Sequence, residues 1–154
     1  MSYVDTNLLP QEQVVYRARL HWIVYVTPAV LIGLALIIFL VAAANSATAG
    51  GAVFGGFILV IGLYSLLMRW IRMKTSEFAV TTKRVVIKVG LIRRHSLELL
   101  LRQVEGIRVD QGLLGRVLGY GTIVVGGTGG TAEPFPEIAS PLEFRRQVQM
   151  QSST

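Results

Sequence analysis

Cysteine is absent from the 154 residues, which excludes disulfides, thiol nucleophiles and thiolate-bound metals. Histidine is scarce: His21 borders an apolar run and His95 sits in a basic cluster. Neither a histidine-based metal centre nor a Ser-His-Asp arrangement is supported. The most informative gap is in charge. From Trp22 to Met68 there is no Asp, Glu, Lys, Arg or His. A helix rises about 1.5 Å per residue, so roughly twenty apolar residues cross a hydrocarbon core about 30 Å thick. The stretch holds two such lengths, Trp22 to Ala44 and Ala52 to Ile71, joined by the small, polar Asn45-Ser46-Ala47-Thr48-Ala49-Gly50-Gly51. A spanning backbone must satisfy its own hydrogen bonds, and neither block alternates at period two, so both read as transmembrane helices. Ala47-Thr48-Ala49 imitates a signal-peptide cleavage site, but the apolar run is far longer than a signal core and a second span follows at once.

Much of the excess positive charge sits beside this run. The net charge is +6, and Arg17 and Arg19 precede the first span while Arg69, Arg72 and Lys74 follow the second. Trp22 and Tyr25 suit the lipid interface. The connecting turn carries no charge, so the positive-inside rule predicts a multi-pass membrane protein with both termini cytoplasmic. The basic pI of about 10.2 then reflects membrane-flanking arginines. Aromatic residues do not interleave with the basic ones as a nucleic-acid stacking surface requires, so no nucleic-acid partner is expected.

The hairpin divides the chain into an N-terminal cytoplasmic arm (1–21), the two spans (22–71) and a C-terminal domain (75–150). Gly51 and Gly55 form a G-x-x-x-G step, and Gly56 and Gly62 follow. Such spacing lets helices approach closely, either within the hairpin or between protomers. After Thr75 the apolar period becomes two: Phe78 and Val80, Val85 to Val89, Leu97 to Leu101, Ile107 and Val109, Ile123 and Val125. Turn residues separate these runs, which predicts an antiparallel meander closing into a small barrel or sandwich. Ser140-Pro141-Leu142-Glu143 is a capping box with proline at the first helical position. It predicts a helix from Pro141 to about Met150 whose Phe144 and Val148 close the core.

Several of these stretches resemble a known family. Phe78-Ala79-Val80-Thr81-Thr82-Lys83-Arg84-Val85-Val86-Ile87-Lys88-Val89-Gly90-Leu91 is similar to the first hairpin of bacterial pleckstrin-homology-like domains of YdbS-like membrane proteins. So is Val104 to Gln111 running into Gly112-Leu113-Leu114-Gly115-Arg116-Val117-Leu118-Gly119-Tyr120-Gly121-Thr122-Ile123, and so is the lead-in from Glu12 to Trp22. The resemblance implies a membrane α-hairpin followed by a small antiparallel β-barrel or sandwich of pleckstrin-homology (PH) type with a C-terminal α-helix. It implies a place in a bacterial inner membrane and no reaction. It also places Thr81 to Arg84 where other PH domains hold phosphoinositide heads. Lys83 and Arg84 there, and Arg93 and Arg94 in the basic set of a domain that starts close to the bilayer, are candidate headgroup contacts. Arg116 is read as a residue that satisfies turn carbonyls or pairs with Asp110, with ligand binding as the other possibility.

The remaining chemistry is largely refused. Gly126-Gly127-Thr128-Gly129-Gly130 is followed by no Gly-Lys-Ser/Thr and opens no helix, so it reads as a hairpin and not a phosphate loop. Gly119-Tyr120-Gly121 lacks the third glycine of a dinucleotide fingerprint. No enzyme activity, metal, cofactor or small-molecule substrate is expected. Two readings remain: a non-catalytic membrane protein whose PH-like domain serves as an assembly or partner-binding module, as a homo-oligomer or with another membrane protein, and a regulator that senses anionic lipid. Ionisable residues are absent from the spans, which disfavours a transporter or channel.

Overall fold

The computed structural model describes residues 3–44, 49–90, 95–128 and 132–152. The chain forms two compact units: Trp22–Lys74, and a second built jointly from Met1–His21 and Thr75–Thr154. The N-terminal arm over 1–21 thus clusters with the C-terminal strands.

In the helical unit a 3-10 turn at Trp22–Tyr25 leads into α2 (Val26–Ala44), and α3 runs from Ala49 to Thr75. Pro28 lies in the first turn of α2, where its missing N–H has no intrahelical partner to lose. The second helix is longer than expected at both ends. Its last turn carries Arg72 and Lys74, which complement the negative end of the helix dipole. Both helices are long and apolar enough to cross a membrane, with mean hydropathies of 2.7 and 2.1 and only 11% of each apolar window buried. A core helix of a soluble protein would be mostly buried. Instead Val30, Leu40, Val53, Phe57 and Val60 are widely exposed.

The β unit begins with α1 (Tyr3–Thr6) and β1 (Val14–Ala18). After the helical unit come β2 (Glu77–Thr81), β3 (Arg84–Val89), β4 (His95–Leu100), β5 (Val104–Asp110), a short helix α4 (Leu113–Leu118), β6 (Tyr120–Gly127), β7 (Ala132–Ala139) and α5 (Pro141–Ser152). The strands form two antiparallel sheets, β1-β2-β3-β4 and β5-β6-β7. An isolated bridge between Leu20 and Ile138 links them. The architecture is thus the sandwich form of the expected fold, with no single closed sheet among the described residues.

The inner faces carry the core. Phe78, Val80, Val85, Ile87, Ile123, Val125 and Ile138 are fully or nearly fully buried, and the Phe78 and Phe135 rings meet edge to face at 6.1 Å. Helix α5 turns Phe144 and Val148 inward as its spacing predicts, and packs against β1, β2, β5 and β6.

Two strands were not expected. β1 comes from Val14 to Ala18, where Val14, Tyr16, Ala18 and Leu20 alternate with Val15, Arg17, Arg19 and His21. That is a period-two strand signal, disguised as an interfacial approach because it is basic and adjoins the span. β7 contains Pro134 and Pro136, which cannot donate to a ladder. It is tolerated at the end of its sheet, with a register shift between Gly121 and Ile123 and a left-handed Glu137 (φ 65°) beside it. The second edge of β7 is used as well: His21 N–H donates to Glu137 O at 2.7 Å, and Ala139 N–H donates to Arg19 O at 2.9 Å.

Candidate functional site

β2 is buried on both faces, although period two predicts only one. The extra cover is the N-terminal segment. Val4, Ala79 and Val86 form a small apolar cluster on the outer face of the first sheet, with Leu8 and Val14 packed against it. Glu77 ties α1 down by accepting the Tyr3 and Val4 N–H groups at 3.1 Å each, and the Lys88 ammonium lies 4.1 Å above the Tyr3 ring.

Beside this cluster lies a buried polar node. The Glu12 side chain is 0% exposed and that of Arg84 13%. Glu12 accepts from the Leu9 N–H (2.6 Å), the Thr81 hydroxyl (2.6 Å) and Arg84 Nε (3.0 Å) and Nη2 (3.1 Å). Arg84 also donates through Nη1 to Glu98 at 2.5 Å and through Nη2 to the Asn7 carbonyl. Burial pushes the Glu12 carboxyl up, but the Leu9 N–H, the Thr81 hydroxyl and the Arg84 guanidinium together outweigh it and hold the group below its ordinary value. Arg84 is held even more firmly charged, chiefly by its hydrogen bonds to Glu12.

A carboxyl whose folded pKa is depressed stabilises the fold fully above its unfolded value and loses that contribution as pH falls through the folded one. Unfolding of the β domain is therefore expected to ease as pH drops below the ordinary value of 4.5. Thermal unfolding of the full chain followed by near-UV circular dichroism measures this. Glu12→Gln should flatten the acid limb, and an unchanged limb would remove Glu12 as its cause.

Arg84 sits at the first hairpin as predicted, with its guanidinium bonded to Glu12, Glu98 and the Asn7 carbonyl. The Lys83 ammonium donates to the Pro10 carbonyl at 2.8 Å, at an exposed position. Arg93 and Arg94 lie outside the described residues. Among the membrane-flanking set, Arg17 pairs with Asp5, Arg19 is exposed on the lead-in and Trp22 is 55% exposed. Arg69, Arg72 and Lys74 all lie on the last turns of α3.

The glycine-rich stretch after β5 folds as a helix between two strands, not as a plain turn. Gln111 Nε2 donates to the Tyr120 carbonyl at 2.9 Å and reaches the Gly115 carbonyl at 3.4 Å. The part expected of Arg116, which is exposed, thus falls to Gln111. Gly119 ends the helix in the left-handed region (φ 78°), and its N–H donates to Gly115 O at 2.8 Å.

On the second sheet, among the described residues, β5 is hydrogen-bonded only to β6. A shallow groove of about 630 Å³ follows it, lined by Glu105, Gly106, Ile107, Arg108 and Val109 and closed by Val124, Gly126, Ala132 and Arg145. Every residue from Glu105 to Val109 faces this space, so the strand offers backbone groups together with charges of both signs. Among the described residues no cluster of His, Asp and Glu is arranged to hold a metal ion.

The order of two long apolar helices, two antiparallel sheets and a closing helix agrees with a match to the family model described as bacterial PH domain, over residues 18–152. The chain belongs to the bacterial PH domain family. Searches among curated proteins and among solved structures return no match. The matched stretch of this bacterial PH domain protein includes both apolar helices and begins at the last residue of β1, so Glu12 and α1 lie before it. Within its helical unit a Cβ on Gly51 would meet Ala42 at 3.1 Å, one on Gly55 would meet Ile38 at 3.2 Å, and one on Gly62 would meet Ile32 at 2.9 Å. Those three glycines serve the contact between the helices of the hairpin. Gly56 has nothing within 4 Å and does not.

Proposed function

We propose that this bacterial PH domain protein is a non-catalytic, multi-pass inner-membrane protein with both termini cytoplasmic, whose β domain serves as an assembly or partner-binding module. PH-like domains are generally non-catalytic. The observation that carries the reading is β5, a seven-residue strand with one edge unpaired among the described residues and a groove lined by its residues. An unpaired edge is a template for strand addition, in which main-chain bonds supply affinity and flanking side chains supply selectivity. The partner is a second copy of this chain or another membrane protein. Three of the four candidate glycines are used inside the hairpin, so contact between protomers falls to the exposed apolar faces of the spans and to this edge. An anionic-lipid sensor is the weaker reading, because Arg84 is committed to Glu12 and Glu98.

Cross-linking of the full chain in native membranes, with identification of neighbours, tests the proposal. A discrete adduct is expected for the natural protein. Arg108→Glu combined with Arg145→Glu inverts the groove's positive side, and should reduce the adduct by roughly tenfold, the scale of a lost charged contact pair at an interface. A strictly monomeric protein without neighbours would sink the reading. An adduct indifferent to both substitutions would move it away from β5.

A further inference from the structure

The short helix α4 is the most exposed apolar element of the β unit. Leu113 is 83% exposed, Leu114 70% and Val117 83%, and all three lie within two turns. Single exposed leucines are ordinary, but a cluster with no polar residue except Arg116 is not. The glycines around it show why the side chains cannot turn inward. Gly115 is buried with its Cα against the Tyr120 carbonyl, so the helix lies on its glycine side and turns its leucines and valine out.

Within the β unit α4 lies near the point where the chain leaves that unit. Tyr120, two residues past the helix, stacks on His21 with ring centroids 5.3 Å apart at 27°. The His21 N–H is bonded to Glu137, and Glu137 lines the same cleft as Leu113 and Leu114. His21 is the residue directly before the first apolar helix. The exposed helix therefore belongs to the end of the domain from which the chain departs into its first span. Its one cation, Arg116, has the chemistry to hold a phosphate while its neighbours enter the acyl boundary.

We propose that α4 is a lipid-surface anchor: Leu113, Leu114 and Val117 insert into the interface of the bilayer that the spans occupy, with Arg116 among the headgroups. This rests on the membrane-spanning reading above. It differs from headgroup sensing by basic turns, because apolar insertion persists in salt. At about 1 M salt the Debye length shrinks to roughly 3 Å, and a purely electrostatic contact is lost.

The natural absence of cysteine makes the test direct. Single substitutions Leu113→Cys, Val117→Cys, Gln149→Cys and Leu40→Cys are labelled with an environment-sensitive fluorophore in the full chain, reconstituted in phosphatidylglycerol–phosphatidylethanolamine vesicles. Quenching by brominated lipid is compared with quenching by aqueous iodide. Position 40 reports on the span and position 149 on an exposed site of the β domain. Labels at 113 and 117 are expected to be quenched by brominated lipid roughly fivefold more than the label at 149, at low and at high salt, as for an apolar face buried in the acyl boundary. If 40 responds to brominated lipid while 113 and 117 respond to iodide as 149 does, the anchor is overturned and the spans stand. Labels at 113 and 117 shielded from both quenchers, with copies cross-linking through these positions, would make α4 a dimer contact and overturn it too. A label at 40 that brominated lipid does not reach overturns the membrane reading and takes the anchor with it.

Discussion

Arg84→Ala is expected to cost the β domain about 3–5 kcal/mol, because it leaves a buried carboxylate without its counter-ion. The Glu12 side chain is 0% exposed, and without Arg84 it keeps only the Leu9 N–H and the Thr81 hydroxyl. Burial, already the largest influence on this group, would then be poorly offset, and its folded pKa should rise. A raised carboxyl pKa destabilises at neutral pH and is relieved as acid protonates the group, so the deficit against the natural protein should shrink as pH falls. The damage has a place. The Asn7 carbonyl loses its Arg84 partner, and the segment that covers Val86 and Ala79 should loosen. Hydrogen exchange of the Tyr3, Val4 and Leu9 amides in the full chain reads this directly. Replacing both partners, Glu12→Leu with Arg84→Met, should restore much of the loss, since a well-packed apolar pair avoids the desolvation of both ions. A loss below about 1 kcal/mol for Arg84→Ala would place the pair in the class of surface ion pairs and refute the node.

Gly115→Ala and Gly121→Ala come next, at about 3 kcal/mol each, the upper range for overpacking a close contact. A Cβ on Gly115 would lie 2.5 Å from the Tyr120 carbonyl oxygen, which is rigid backbone that Gln111 also holds. One on Gly121 would lie 2.7 Å from Gln111 Cγ, 2.9 Å from the Asp110 carbonyl and 3.1 Å from Pro141 Cγ. That position joins β5, β6 and the start of α5, so relief at one neighbour strains the others. Gly119 differs in kind: nothing lies within 4 Å, and only its positive φ resists a side chain, which costs about 1–2 kcal/mol. Gly112 has open space and an ordinary φ of −70°, so its alanine variant should fall within about 0.5 kcal/mol of the natural protein. Denaturation of the four variants under one condition should rank 115 and 121 first, then 119, then 112. Equal losses across the series would mean that general flexibility, and not these contacts, selects glycine here.

These two sites show how much the residues disclose in order. Phe144 and Val148 reach the core as their spacing predicts, because a capped helix with one apolar edge has a single low-energy way to pack. Val85, Ile87, Ile123 and Val125 likewise face inward as alternation requires. β7 stayed hidden because Pro134 and Pro136 suppress any strand signal, and only a sheet edge with a local bulge tolerates them. β1 was present in the alternation of Val14, Tyr16, Ala18 and Leu20, yet basic residues next to a membrane span carry the same letters for a different reason. α4 was concealed by its glycines, which read as turn until Gln111 is seen holding the Gly115 and Tyr120 carbonyls.

The chain's own order of residues determined the two apolar helices, the change to period two after Thr75 and the closing helix, because each follows from local spacing and from the cost of an unsatisfied backbone or an unburied face. Tertiary structure alone decided that the N-terminal segment folds back onto β2 and β3, that Glu12 meets Arg84 across 72 residues, and that the leucines of α4 are left facing outward. Periodicity carries information about neighbours along one element. A buried ion pair depends on which distant elements exclude water together, and no local pattern contains that.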